Sequence, residues 1–226
     1  MAHVYRADTI GSLLRPQYLK LAREQFEAGR LEAAAYKEIE DRAVDQAIAM
    51  QEGVGLDVVT DGELRRHTFI DQLTEQVEGL TLDAGDSGHV PVPFHDEAGQ
   101  LKSVFTIPLS VTDKLQRSRM IQRATNYDAF LLEYDDERSG SFSALGDIPD
   151  DKVVVLGLVS TKFDGMEPAD QLAARIDEAS GFFPRDQLAL STQCGFASAG
   201  PGNQISEDAQ ENKLRLVAEV AARVWG

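Results

Sequence analysis

The sequence predicts an α/β fold whose strands run parallel, and three observations carry that expectation. Helical and strand patterns alternate along the chain. The run Val153-Val154-Val155-Leu156-Gly157-Leu158-Val159 is apolar without a break, as expected of a strand covered on both faces. Four chemically capable motifs each fall just past a strand pattern, which is where parallel strands bring side chains to a common face.

In chain order, Val4 to Leu14 contains Thr9-Ile10-Gly11-Ser12, a short strand running into a glycine turn. A helix is expected from Pro16, because proline suits a first helical turn, with Gly29 as its stop. The clearest helix of the first half follows. Tyr36, Ile39, Ala43, Val44, Ala47 and Ile48 form an apolar stripe, with Glu38, Glu40, Asp41, Arg42 and Asp45 between them. It stops near Gly53 and Gly55, and Leu56-Asp57-Val58-Val59-Thr60 reads as a short buried strand broken at Asp61-Gly62.

Leu80 to Gln100, rich in Gly, Asp and Pro and carrying His89 and His95, reads as a long loop or irregular hairpin. Val104 to Leu109 reads as a strand, and Asp113 to Thr125 as a polar, basic stretch with helical character. Asp128 to Leu132 is a strand that ends in Glu133. In the last third, a helix marked by Leu172, Ala173, Ile176 and Ala179 precedes the strand Gln187 to Leu190, which leads to Cys194. Leu214, Val217, Val220, Ala221 and Val224 give the closing helix its apolar stripe, with Ser206 as its N-cap.

A chain of 226 residues can bury a sizeable core and suits one large domain. Its formal charge of −16, from 38 acidic and 22 basic residues, repels phosphates and anionic lipid, so neither nucleic acid nor membrane is an expected partner. No apolar run approaches the roughly 20 residues of a membrane span, and Met1 to Arg6 lacks the pattern of a secretory signal, so a cytoplasmic enzyme is expected. The single cysteine, Cys194, excludes an internal disulfide and is either a buried small hydrophobe or a thiolate kept for its chemistry.

The four strand-end motifs are Gly11-Ser12, Asp61-Gly62-Glu63, Glu133 and Cys194. Taken singly, each has a plain structural explanation: a turn, a turn with solvated acids, a solvated charge run from Glu133 to Arg138, and a core thiol. Taken together at strand ends, they form one constellation. A carboxylate and a thiolate suit Zn²⁺, although a tetrahedral site wants four ligands, or three and an open position.

These residues resemble the cobalamin-independent methionine synthase family, in particular the catalytic barrel of its short single-domain members. The resemblance rests on Thr9-Ile10-Gly11-Ser12-Leu13-Leu14-Arg15-Pro16 and on Gly55-Leu56-Asp57-Val58-Val59-Thr60-Asp61-Gly62-Glu63. It continues in Phe130-Leu131-Leu132-Glu133-Tyr134-Asp135-Asp136, in Leu156-Gly157-Leu158-Val159-Ser160-Thr161-Lys162 and in Gln193-Cys194-Gly195-Phe196-Ala197-Ser198. It implies a TIM (β/α)8-type barrel as a single domain over residues 1–226, with an N-terminal portion over residues 1–117 and a C-terminal portion over residues 127–226. Roughly two or three βα units are missing between the two portions, because such a barrel typically spans about 250 residues.

The resemblance also implies the chemistry: a zinc-dependent methyltransferase like 5-methyltetrahydropteroyltriglutamate–homocysteine S-methyltransferase, in methionine biosynthesis. Zinc would bind the homocysteine thiol and present it as a thiolate to a methylated folate. By position, Glu133 and Cys194 match metal ligands, and Ser12 and Glu63 match residues that hold the amino-acid part of the thiol substrate. No side chain is singled out as a catalytic acid or base. The family's His-x-Cys pair and its Gln-x-Asp-x-Pro motif are absent, so the zinc site is expected to be incomplete and the activity impaired. Two alternatives stand beside this one: alkyl transfer to another thiol such as coenzyme M, and a non-catalytic barrel remnant that binds or assembles. A partial barrel would expose two sheet edges, which invites a homodimer.

Overall fold

The computed structural model describes residues 4–66, 128–136, 139–197 and 203–226, together with the backbone of the strands at 89–95 and 101–108. The chain divides into two compact units, Met1–Arg65 with Asp128–Gly226, and Arg66–Tyr127.

In the first unit, helix α1 (Gln17–Glu27) begins directly after Pro16, whose carbonyl accepts from the Leu19 and Lys20 amides. Helix α2 (Ala33–Val54) buries Tyr36, Ala43, Val44, Ala47, Gln51 and Val54 and stops at Gly55. The stripe expected from the sequence is therefore the buried one, although Ile39 and Ile48 only pack at its margin. Phe26 of α1 stacks on Tyr36 of α2 with ring centroids 4.7 Å apart.

The second unit contributes an antiparallel pair, β1 (His89–His95) and β2 (Leu101–Pro108), with His89 opposite Pro108 and an irregularity at Phe94/His95. The hairpin reading of Leu80 to Gln100 thus holds over a regular strand at 89–95 rather than a loop. Pro91 and Pro93, two residues apart, lose their N–H groups on one side of β1, which a two-stranded ladder tolerates. The helical stretch expected from Asp113 to Thr125 lies outside the described residues, as does His67.

The first unit also holds a parallel sheet of β3 (Ala129–Glu133), β4 (Val153–Val159) and β5 (Leu188–Thr192), in that spatial order. β5 is flanked on its other side by the start of the chain. Leu190 donates to the Arg6 carbonyl and accepts from Asp8, a parallel bridge centred on Ala7. Next to Ala7 comes Asp57-Val58, whose two amides both donate to the Ala7 carbonyl, at 2.9 and 3.3 Å. The order across this surface is therefore Asp57-Val58, Arg6–Asp8, β5, β4, β3.

Two expectations from the sequence are corrected here. Leu56 to Thr60 is irregular, with bends at Asp57 and Val58, rather than a strand, because two amides sharing one carbonyl do not make a ladder. The first segment likewise forms a single bridge instead of a regular strand.

Helices α3 (Ala169–Ala179) and α4 (Glu207–Trp225) cover the sheet. Ile176, Leu190, Leu214 and Val217 are fully buried, each contributing on the order of 1.5–3 kcal/mol by leaving water. The expected N-cap is present: Ser206 Oγ accepts from the Ala209 amide at 3.1 Å. Glu207 and Asp208 in the first turn and Arg223 in the last complement the helix dipole.

Candidate functional site

The parallel segments all end on one side, so the groups that follow them meet. After Ala7 comes the turn at Gly11 (φ 68) and Ser12. After Asp57-Val58 comes Thr60-Asp61-Gly62-Glu63, with Gly62 at φ 63 and Glu63 at φ 54. Gly62 is required twice over, by its left-handed backbone and because a Cβ there would lie 2.9–3.0 Å from Leu13 side-chain atoms. A left-handed glutamate is uncommon and strained, and such strain gathers at working positions.

The two turns are joined. Leu13 N donates to the Gly62 carbonyl at 2.9 Å, and Ser12 Oγ donates to Glu63 Oε2 at 2.5 Å. The turn after β5 closes on the same place. Phe196 N and Ala197 N both donate to the Ser12 carbonyl, at 2.7 and 3.1 Å. Gly195 lies so close that a Cβ on it would sit 2.5 Å from Ser12 N, which explains a glycine directly after Cys194.

Glu133 ends β3, and its carboxylate Oε1 accepts from Gln193 Nε2 at 3.0 Å and lies 3.6 Å from Lys162 Nζ. Lys162 also reaches Asp135 at 3.0 Å and Asp136 at 3.6 Å. The Asp135 side chain is buried, and its second oxygen, Oδ1, has no hydrogen-bond partner. Gln193 Oε1 in turn accepts from the Thr161 hydroxyl, at 3.2 Å. Cys194, next in the chain, is half-buried and outside any disulfide. Beside Glu133, burial pushes the Tyr134 phenol above its ordinary value.

The loop carrying Lys162 is pinned from below. Lys213 of α4, fully buried, donates to the Gly165 carbonyl and pairs with Glu167 at 2.8 Å, while Glu167 Oε1 accepts from the Ser160 amide.

Of the four residues singled out from the sequence, two are directly bonded, and the other two lie on neighbouring strand ends. Ser12 meets Glu63, and Glu133 meets the residue preceding Cys194, with Gly195 bridging to Ser12. Lys162 and Gln193 were legible only as parts of familial strings; their contacts depend on which strand ends become neighbours. Arg15 is buried, and its Nη1 donates to the Ala197 carbonyl.

Zinc fits this arrangement poorly. Among the described residues no group of three or more His, Cys, Asp or Glu is arranged to hold a metal ion. Among the described residues Glu133 and Cys194 remain two donors where a tetrahedral site wants four, or three and an open position. One of the two, Glu133, is already engaged by an amide and an ammonium.

Residues 6–88 match the family model of the cobalamin-independent synthase catalytic domain. Over that segment the chain is similar to the cobalamin-independent methionine synthase family. The uncharacterized protein YxjG of Bacillus subtilis (strain 168) is 50% identical over 101 residues, which are 44% of this chain and 27% of YxjG. YxjH of the same organism is 27% identical over 357 aligned positions, covering 98% of this chain and 95% of YxjH. An alignment of that length exceeds the 226 residues here, so YxjH carries a long stretch with no counterpart in this chain.

Two solved structures share the fold. A candidate vitamin B12-independent methionine synthase from Listeria monocytogenes superposes with a TM-score of 0.69 at 22% identity, over 100% of this chain and 99% of its own. A B12-independent methionine synthase from Shewanella sp. W3-18-1, in complex with selenomethionine, gives 0.59 at 15% identity over 98% of both chains. Among the described residues no helix is long and apolar enough to cross a membrane.

Proposed function

We propose that this chain binds the amino-acid part of a small thiol such as homocysteine between Ser12 and Glu63, and that its ancestral reaction is methyl transfer from a methylated folate. The observation that carries this reading is the Ser12–Glu63 hydrogen bond, formed across 51 residues by two turns, one of them holding Glu63 left-handed. A carboxylate is the natural acceptor for a ligand ammonium group, and a hydroxyl bonded to it fixes its orientation. The Shewanella relative was solved with selenomethionine, an amino acid of this shape.

Glu133 and Cys194 are the donors this chain would offer to zinc, whose contribution in such enzymes is to hold a thiol as thiolate at neutral pH. Two donors do not complete the site. That shortfall favours the second reading, a barrel remnant that retains ligand binding without turnover. Alkyl transfer to another thiol such as coenzyme M would need the same missing donors.

The reading treats residues 1–226 as one barrel domain lacking roughly two or three of the units of a (β/α)8 fold. The unmatched stretch in YxjH supports it, as does the parallel order Asp57-Val58, Arg6–Asp8, β5, β4, β3. Exposed Val59 and Leu131 fall at the two ends of that order, where a homodimer would cover open strand edges. The acidic surface fits a cytoplasmic protein without nucleic-acid or membrane partners.

Calorimetry with L-homocysteine and L-methionine, followed by a methylfolate turnover assay with added zinc, tests the reading. Binding that Ser12→Ala and Glu63→Gln each weaken is expected. Absence of binding by the intact chain would remove the thiol site. Stoichiometric zinc with turnover would remove the remnant reading.

A further inference from the structure

We propose that Gln51 and Asp61 are positioning residues for Glu63, holding its backbone left-handed so that its carboxylate meets Ser12. Gln51 is the polar exception on the buried face of α2, and it is fully buried. Every hydrogen-bonding group of its amide is used. Nε2 donates to the Ala47 carbonyl at 2.9 Å and to the Thr60 carbonyl at 2.8 Å, and Oε1 accepts from the Thr60 amide at 3.1 Å. These partners fix which end of the amide is nitrogen.

The side chain thus grips the Thr60 backbone in both directions, as a neighbouring strand would. That grip stands where the sequence led us to expect a strand at Leu56 to Thr60 and the structure has bends. From Thr60 the contacts run on without a break. Thr60 Oγ1 accepts from Gly62 N at 3.1 Å, and Asp61 Oδ1 accepts from Glu63 N at 2.9 Å. The Gly62 carbonyl takes Leu13 N, and Ser12 Oγ reaches Glu63. A non-glycine residue stays left-handed only where its surroundings over-determine it, and these bonds supply that constraint.

The inference rests on the reading of Ser12 and Glu63 as the amino-acid site, and its test separates the two. Calorimetry with L-homocysteine is run on the full chain and on Gln51→Leu, Asp61→Ala and Asp61→Asn, with the Gln51 change repeated in a Glu63→Gln background. Asp61→Ala and Gln51→Leu are expected to weaken binding roughly tenfold, the scale of one hydrogen bond. Asp61→Asn keeps the acceptor and is expected to bind within about twofold of the parent, and Gln51→Leu adds nothing once Glu63→Gln is present. Asp61→Asn binding as poorly as Asp61→Ala would mean that the charge itself touches ligand, and would overturn positioning. So would a full additional loss from Gln51→Leu on top of Glu63→Gln.

Amide hydrogen exchange at Glu63 gives a readout free of ligand. Protection is expected in the parent and in Asp61→Asn, and fast exchange in Asp61→Ala. Unchanged protection in Asp61→Ala would sink the inference even where homocysteine binds. Loss of protection without any homocysteine binding by the parent would sink only the ligand reading. Should Gln51→Leu fail to fold, the Asp61 pair decides.

Discussion

Gly195→Ala is the sharpest perturbation of the candidate site, because it adds one methyl group where three backbone atoms stand. The new Cβ would lie 2.5 Å from Ser12 N, 3.0 Å from Ser12 O and 3.2 Å from the Gly11 carbonyl carbon. Backbone cannot rotate away as a side-chain tip can, so the turns must separate. Separation strains the amides of Phe196 and Ala197 that donate to the Ser12 carbonyl. Overpacking costs about 1–3 kcal/mol and each of the two weakened hydrogen bonds about 0.5–1.5 kcal/mol, so a loss of roughly 2–6 kcal/mol is expected. For a chain of this length each kcal/mol moves the midpoint by about 2–4 °C, which makes a fall on the order of 10 °C. Thermal and urea unfolding followed by circular dichroism measure it. The Ser12–Glu63 ligand site should weaken in parallel, since Ser12 is the residue displaced. A variant unfolding at the parent's midpoint, with its homocysteine affinity intact, would refute the close approach of the two turns.

Gly53→Ala is the control: nothing lies within 4 Å of its would-be Cβ, inside helix α2, so the substitution should stabilise by about 0.5–1 kcal/mol in the same urea experiment. Lys213→Met removes one partner of a buried ion pair, and a loss near 3 kcal/mol is expected, the lower end for such pairs because Glu167 keeps some exposure. The double change with Glu167→Gln should recover some of that loss, and a strictly additive cycle would rule out coupling. Burial is the largest cause raising the Asp8 carboxyl above its ordinary range; the Thr9 amide opposes it and Asp57 adds to it. The folded chain therefore holds that proton more tightly than the unfolded one, so this contribution is full below the ordinary carboxylate value and lost as pH rises through the raised value. Asp8→Asn should accordingly unfold at higher urea than the parent near pH 7, with the gap closing below about pH 4.

Much of the architecture was legible in the residues. The helix over Ala33–Val54 follows from its apolar stripe, and Ser206 caps α4 as its side-chain chemistry predicts. The continuous apolar run became β4, the central strand, because a strand flanked by strands and covered by helices has no face that needs polar residues. Ser12, Glu63, Glu133 and Cys194 could also be singled out, since reactive groups just past strand patterns announce a common end. What sequence periodicity missed is instructive. Leu56 to Thr60 has strand composition, yet the Thr60 backbone is paired with the side-chain amide of Gln51, and no alternation of residue types encodes a side chain acting as a strand. Lys162 gave no local sign of reaching Glu133, Asp135 and Asp136, because that contact exists only once β3 and β4 lie side by side.

By itself, then, the sequence determined most of the helices and the three parallel strands, where the chemistry-bearing groups stand along the chain, and the family they resemble. These are properties of short windows and of recurring strings. Tertiary structure alone decided that Ser12 bonds Glu63, that Gly195 must be bare to let Cys194's turn approach, and that Glu133 faces an ammonium and an amide. Each of those contacts joins residues about fifty or more positions apart, or lying on different strands. Their distances are set by how parallel segments stack side by side, and no local pattern carries that information.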